Sequence, residues 1–165
     1  MNIIEIIEKK RDKKVLSEEE INYWIENLDQ IPEYQSSALL MAIYLNGMNE
    51  EETFYLTKAM TYSGETLDFS EIEGIKADKH SSGGVGDKTS IALMPLLVSC
   101  GLKAAKMSGG ALGFMGGTVD KLSSIPGMNV FMDKEQLIEQ VKEIGIAMVG
   151  QTGNLCPADK KLYAL

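Results

Sequence analysis

The chain has little of what several common site chemistries require. Its 165 residues include two cysteines, Cys100 and Cys156, too few and too far apart for a disulfide framework or a zinc site. A reduced, cytoplasmic setting follows as the default. Long apolar runs are missing as well. Even the stretch from Ile91 to Gly101 falls short of a membrane span. The opening Met1-Asn2-Ile3-Ile4-Glu5 lacks the basic start of a signal peptide. Positive charge is scarce, with 16 Lys and Arg against 24 Asp and Glu and a net charge of −8. That balance argues against a general nucleic-acid surface. It does not exclude a phosphate-sized anion held by a local cluster of lysines and N–H donors.

What remains is an ordinary globular composition, 44% apolar and 24% charged, long enough for one domain or for one domain and a piece of another. Residues 1–66 read as a helical domain. Ile3, Ile4, Ile6 and Ile7 give a short apolar face. Ser17 with Glu20 forms a capping box ahead of Ile21, Trp24, Ile25 and Leu28. A third helix runs from about Pro32 to Gly47 with Leu39, Leu40, Ile43 and Tyr44 inward, and Asn49 with Glu52 caps a fourth. The acids around Glu18 and Glu52 are explained by the helix dipole.

Residues 67–73 read as a linker. From 74 to 153 the pattern becomes short strand, glycine-rich turn and helix, which predicts a mixed or parallel α/β domain. Gly74–Ala77 is expected as the end of a short buried strand, Lys103–Ser108 as a second and Ile146–Gly150 as a further one. Residues 154–165 read as the start of a helix returning to the helical domain. So few strands leave sheet edges and faces uncovered, so the chain is expected to be the N-terminal portion of a longer protein.

The chemistry concentrates in two glycine-rich turns at strand ends. The first is Asp78-Lys79-His80-Ser81-Ser82-Gly83-Gly84-Val85-Gly86-Asp87-Lys88-Thr89-Ser90. The second is Lys106-Met107-Ser108-Gly109-Gly110 through Gly116-Gly117-Thr118. Open α/β sheets bind ligands where such turns converge. Lys79, Ser81 and Ser90 from one turn and Lys106, Ser108 and Thr118 from the other supply ammonium and hydroxyl donors for one phosphate. Neither turn has the Walker A or dinucleotide-binding spacing. The bland alternative is a pair of tight connections. His80 is the one side chain whose ordinary range lies near neutrality, and its place between Lys79 and Ser81 marks it as a ligand contact. Asp78 and Asp87 position the lysines or cap the helix, capping being the favoured role of Asp87.

These two turns, with Lys9-Lys10-Arg11-Asp12, Gln35-Ser36-Ser37-Ala38-Leu39 and the closing run Gln151 to Leu165, resemble the thymidine and pyrimidine-nucleoside phosphorylases. The likeness spans the whole chain. It implies reversible phosphorolysis of a pyrimidine nucleoside to free base and (deoxy)ribose 1-phosphate, in a homodimer joined through the helical domain. By position, phosphate would be bound by Lys79, His80, Ser81, Ser90, Lys106, Met107, Ser108 and Thr118. The base would be bound by His80, Leu112 and Tyr163, with His80 the catalytic residue. No organic cofactor is implied. A monovalent cation, potassium, is implied at Gly86 and Lys88.

The likeness also has departures. Gly110, Ala111, Phe114 and Met115 stand where the family's second motif usually carries arginine, glycine, histidine and threonine. Ser123 stands where a glutamate is usual, and Lys88 where a threonine is usual. Three base-pocket residues of the family follow the position of Leu165, so the 165-residue chain alone is expected to be incompetent. Two alternatives stand beside the phosphorylase reading. One is an enzyme like anthranilate phosphoribosyltransferase; the other is a catalytically dead chain that only dimerises or binds phosphate.

Overall fold

Local capping chemistry sets most of the element boundaries in the computed structural model, which describes residues 1–80, 87–110, 116–152 and 154–165. Two compact units are present, Met1–Thr66 with Gly153–Leu165, and Leu67–Thr152.

The first unit is helical, with α1 Ile3–Arg11, α2 Glu18–Glu26, α3 Glu33–Asn46, α4 Glu50–Thr61 and the late helix α8 Pro157–Tyr163. Ser17 and Glu20 form the expected capping box on α2, and Asn49 and Glu52 form one on α4. Each box satisfies helix-end N–H groups that would otherwise lack partners. α1 packs on α3 and α2 on α4, around Ile6, Leu16, Ile21, Trp24 and Leu39. The buried Trp24 indole donates to Ser36 Oγ at 3.2 Å, as a buried polar tip must. α8 adds Ala158 to the same core. Gly64 is needed where α8 approaches, since a Cβ there would lie 2.2 Å from the Asn154 carbonyl oxygen.

Two expectations for this unit fail. Tyr44, expected inward, is 82% exposed. The inward stripe of α3 runs through Ser36, Leu39 and Ala42 instead, because the i, i+3 and i+6 positions face α1 and rotate Tyr44 away. Ile4 likewise faces out while Ile3 and Ile6 are buried. Glu52 also does more than complement a dipole. It accepts from Lys10 Nζ at 2.6 Å, from the Leu16 N–H at 2.9 Å and from the Asn49 N–H at 2.9 Å. Burial opposes its charge, but these donors outweigh that and hold its carboxyl below the ordinary glutamate range.

The second unit carries a three-stranded parallel sheet, with β1 Lys76–Ala77, β2 Lys103–Ser108 and β3 Ile146–Gly150 in the order β1-β2-β3. Its helices are α5 Lys88–Ser99, α6 Thr118–Ser123 and α7 Lys134–Ile144. β1 is shorter and more exposed than the buried strand expected; among the described residues it pairs with β2 alone, over two residues. β2 and β3 pair in register from Ala104–Ile146 to Ser108–Gly150.

Alternation along the strands sorts the core into two faces. Ala104 and Met148 face the cluster holding Met94 of α5 with Val119 and Leu122 of α6. Ala105, Met107, Ala147 and Val149 face Leu137 and Val141 of α7. Ile72 is buried in that second cluster, with Leu67 and Phe69 packed against it, so the segment read as a linker also builds core. No helix among the described residues is long and apolar enough to cross a membrane.

Candidate anion site at the strand ends

Parallel strands bring all three C-terminal ends to one edge of the sheet, and alternation then decides which side chains meet there. Lys106 and Ser108 share the parity of Ala104, so they lie on the face covered by α5 and α6. The first turns of those two helices carry Ser90 and Thr118. Four of the residues expected to bind phosphate are therefore assigned to one face by strand period and helix order. Met107 has the opposite parity and packs against the α7 side. Only its backbone is available to the site.

Direct bonds join Lys79, Asp87, Ser90 and Lys106. Lys79 Nζ donates to Asp87 Oδ1 at 2.5 Å, and the Ser90 hydroxyl donates to the other oxygen of the same carboxylate. Asp87 also caps α5, accepting from the Ser90 N–H at 3.3 Å. It thus combines the two roles between which the sequence left a choice. Burial works against its charge, yet the bonds from Lys79 and Ser90 outweigh burial and keep the carboxyl below the ordinary aspartate range. The Lys106 ammonium is buried. It donates to the Lys79 carbonyl oxygen and lies 3.9 Å from Asp78 Oδ1. An ammonium carries three N–H donors; these contacts leave further donors on each lysine.

The second turn is closed at its base. A Cβ at Gly117 would lie 2.1 Å from the Gly110 carbonyl oxygen, so only glycine fits there. Asp120 Oδ2 accepts from the Gly117 N–H at 2.7 Å, and Lys121 Nζ donates to the Gly116 carbonyl at 2.6 Å. Asp120 and Lys121 were not singled out from the sequence. The available signal was an acid three residues after a glycine that precedes a helix.

Other expected site residues are not brought into this cluster. His80 follows Lys79 directly and is exposed. Tyr163 is about half exposed on α8 and belongs to the helical unit. Ser81, Gly86 and Leu112 lie outside the described residues. Of the pair expected at a monovalent cation, Lys88 has no acceptor on its side chain, so it could offer such an ion only its backbone carbonyl. Cys156 is half-buried, and burial, with Asp159 adding to it, pushes its thiol up, which makes it a poor nucleophile. Cys100 is exposed at the C-cap of α5.

Comparison with known proteins places this geometry in a family context. The helical bundle domain of the glycosyl transferase family matches residues 4–64, and the a/b domain of that family matches residues 73–165. The chain is 57% identical to a pyrimidine-nucleoside phosphorylase of Geobacillus stearothermophilus over 167 aligned residues, covering 100% of this chain and 39% of that protein. Identity is 54%, with the same coverage, to a pyrimidine-nucleoside phosphorylase of Staphylococcus haemolyticus. The chain thus spans about two fifths of the length of these relatives. Among solved structures, anthranilate phosphoribosyltransferase from Thermus thermophilus matches with a TM-score of 0.69 at 19% identity, covering 94% of this chain and 47% of that one. At that identity the likeness concerns the fold alone.

Proposed function

We propose, because this chain belongs to the glycosyl transferase family of helical bundle and a/b domains, that it serves pentosyl transfer between a pyrimidine nucleoside and phosphate. The observation that carries this reading is the cluster of Lys79, Lys106 and Ser90 at the C-terminal edge of a parallel sheet. The names of the relatives supply the substrate class.

In this reading phosphate attacks the anomeric carbon as the glycosidic bond breaks, and the base leaves with the bonding electrons. Lys79 and Lys106 supply charge to the phosphate. Ser90, Ser108 and Thr118 orient it. Holding the nucleophile in line converts an encounter between two molecules into a reaction within one complex, which removes much of the entropic part of the barrier. His80 hydrogen-bonds a base carbonyl and stabilises charge developing there, an effect worth about a hundredfold or more when a group acts as general acid.

The same reading pairs two copies through the helical unit. The outer face of α3 exposes Tyr34, Met41, Tyr44 and Leu45, an apolar stripe of the kind that associates. Met41→Glu with Leu45→Glu is expected to give a monomer by sedimentation; an unchanged sedimentation coefficient rules this face out.

The activity test is direct. The 165-residue chain, alone and extended to the full length of its relatives, is incubated with uridine or thymidine plus phosphate, and released base is measured. Phosphate-dependent release by the extended form is expected; none from either nucleoside sinks the proposal.

A further inference from the structure

We propose that Asp87 is a positioning residue of the anion site, acting through Lys79; the proposal rests on the phosphate reading above. Asp87 is not among the groups expected to touch phosphate. Its carboxylate is nevertheless the point at which two of those groups meet. Lys79 stands eight residues before it and binds one oxygen at 2.5 Å. Ser90 stands three residues after it and binds the other through its hydroxyl. One buried carboxylate thus ties the residue entering the glycine-rich turn to the first turn of the helix that leaves it.

The donor count gives this arrangement its direction. A lysine side chain is a long, flexible stem, and ordering it costs rotamer entropy. Asp87 has its own side chain 4% exposed and holds the Lys79 ammonium, on a side chain 26% exposed, in one place before any ligand arrives. Among the described residues that bond uses one of three N–H donors, leaving the other two to an incoming anion. Preorganisation of this kind raises affinity because the ordering has already occurred.

A rival role for the same carboxylate makes the opposite forecast. If Asp87 competed with phosphate for Lys79, removing its charge would tighten binding. If Asp87 only capped α5, its effect on binding would not depend on Lys79. A double-mutant cycle separates the three roles. Inorganic phosphate is titrated calorimetrically into the 165-residue chain, as wild type, Asp87→Asn, Lys79→Ala and the double variant. Asparagine caps helices as well as aspartate does, so the melting temperature should hold. Asp87→Ser, a cap too short to reach Lys79, is the second variant if asparagine disturbs folding.

Asp87→Asn is expected to weaken phosphate binding about tenfold, the scale of one charge-assisted hydrogen bond. In the Lys79→Ala background it should have almost no further effect. Tighter or unchanged binding by Asp87→Asn overturns the proposal, and so does an equal loss in both backgrounds. Failure of the wild type to bind phosphate overturns the phosphate reading itself, and this proposal with it.

Discussion

Each unit of this chain holds a lysine–carboxylate pair at a helix N-terminus, and the two are finished differently. In the helical unit, Lys10 and Glu52 meet at 2.6 Å with side chains 4% and 1% exposed. The backbone N–H groups of Leu16 and Asn49 complete the carboxylate's shell. In the α/β unit, Asp87 is as deeply enclosed, but Lys79 is partly open to solvent. The first pair is sealed on both sides and tethers the α1–α2 connection to α4. The second is sealed on one side and presents an ordered ammonium on the other. Burial of both partners leaves the first pair closed to solvent, whereas burial of the carboxylate alone leaves the lysine of the second open to it.

Breaking the sealed pair should have the largest effect. Glu52→Ala leaves Lys10 buried without a counter-charge, a change that costs about 3–5 kcal/mol. A large fall in melting temperature is expected, and a shift within a degree of wild type would show that the pair is not structural. Next comes the second turn. Gly117→Ala forces a Cβ against the Gly110 carbonyl and should cost roughly 1–3 kcal/mol, as overpacking does. Its readouts are thermal melting and phosphate titration, and a variant with wild-type values in both would remove the turn from the site.

Acid should distinguish the pairs less sharply. The Glu52 carboxyl is held below its ordinary range, so the folded state binds its proton less readily than the unfolded state does. Its contribution is complete above the unfolded value of about 4.3 and is lost as pH falls through the folded one. Melting temperatures should be level from neutrality to about pH 5 and then drop, and Glu52→Gln should flatten that drop. An acid limb unchanged in Glu52→Gln would assign it to other carboxylates. The smallest effect belongs to the exposed pair Lys58–Glu18, at 2.9 Å. Lys58→Ala should leave melting unchanged, since exposed pairs contribute little; a clear drop would blur the line between sealed and open pairs.

Legibility in the sequence followed the range of each interaction. The boxes at Ser17–Glu20, Asn49–Glu52 and Asp133–Gln136 are local, and each was readable from residues three apart. The stop of α7 at Gly145, with φ of 81°, was equally local. The strand-end lysines could be found by type and position, since Lys79 and Lys106 each sit near the end of a short strand, ahead of a glycine-rich turn. Partners distant in sequence could not. Glu52 reaches Lys10 across 42 residues, and Ile72 joins Leu137 and Val149 only once α7 and β3 have folded. Tyr44 was misread because the apolar run in α3 is nearly continuous and hides which face meets α1. Asp87 was half legible. Its cap was local, while its hold on Lys79 spans eight residues.

The proposed phosphate site requires that the open pair, and not the sealed one, present its lysine to an anion. Calorimetric titration of inorganic phosphate into wild type and Lys79→Ala tests it most directly. Saturable binding by the wild type, weakened about tenfold or more in Lys79→Ala without loss of melting temperature, is the expected result. Equal affinity in the two proteins would contradict it.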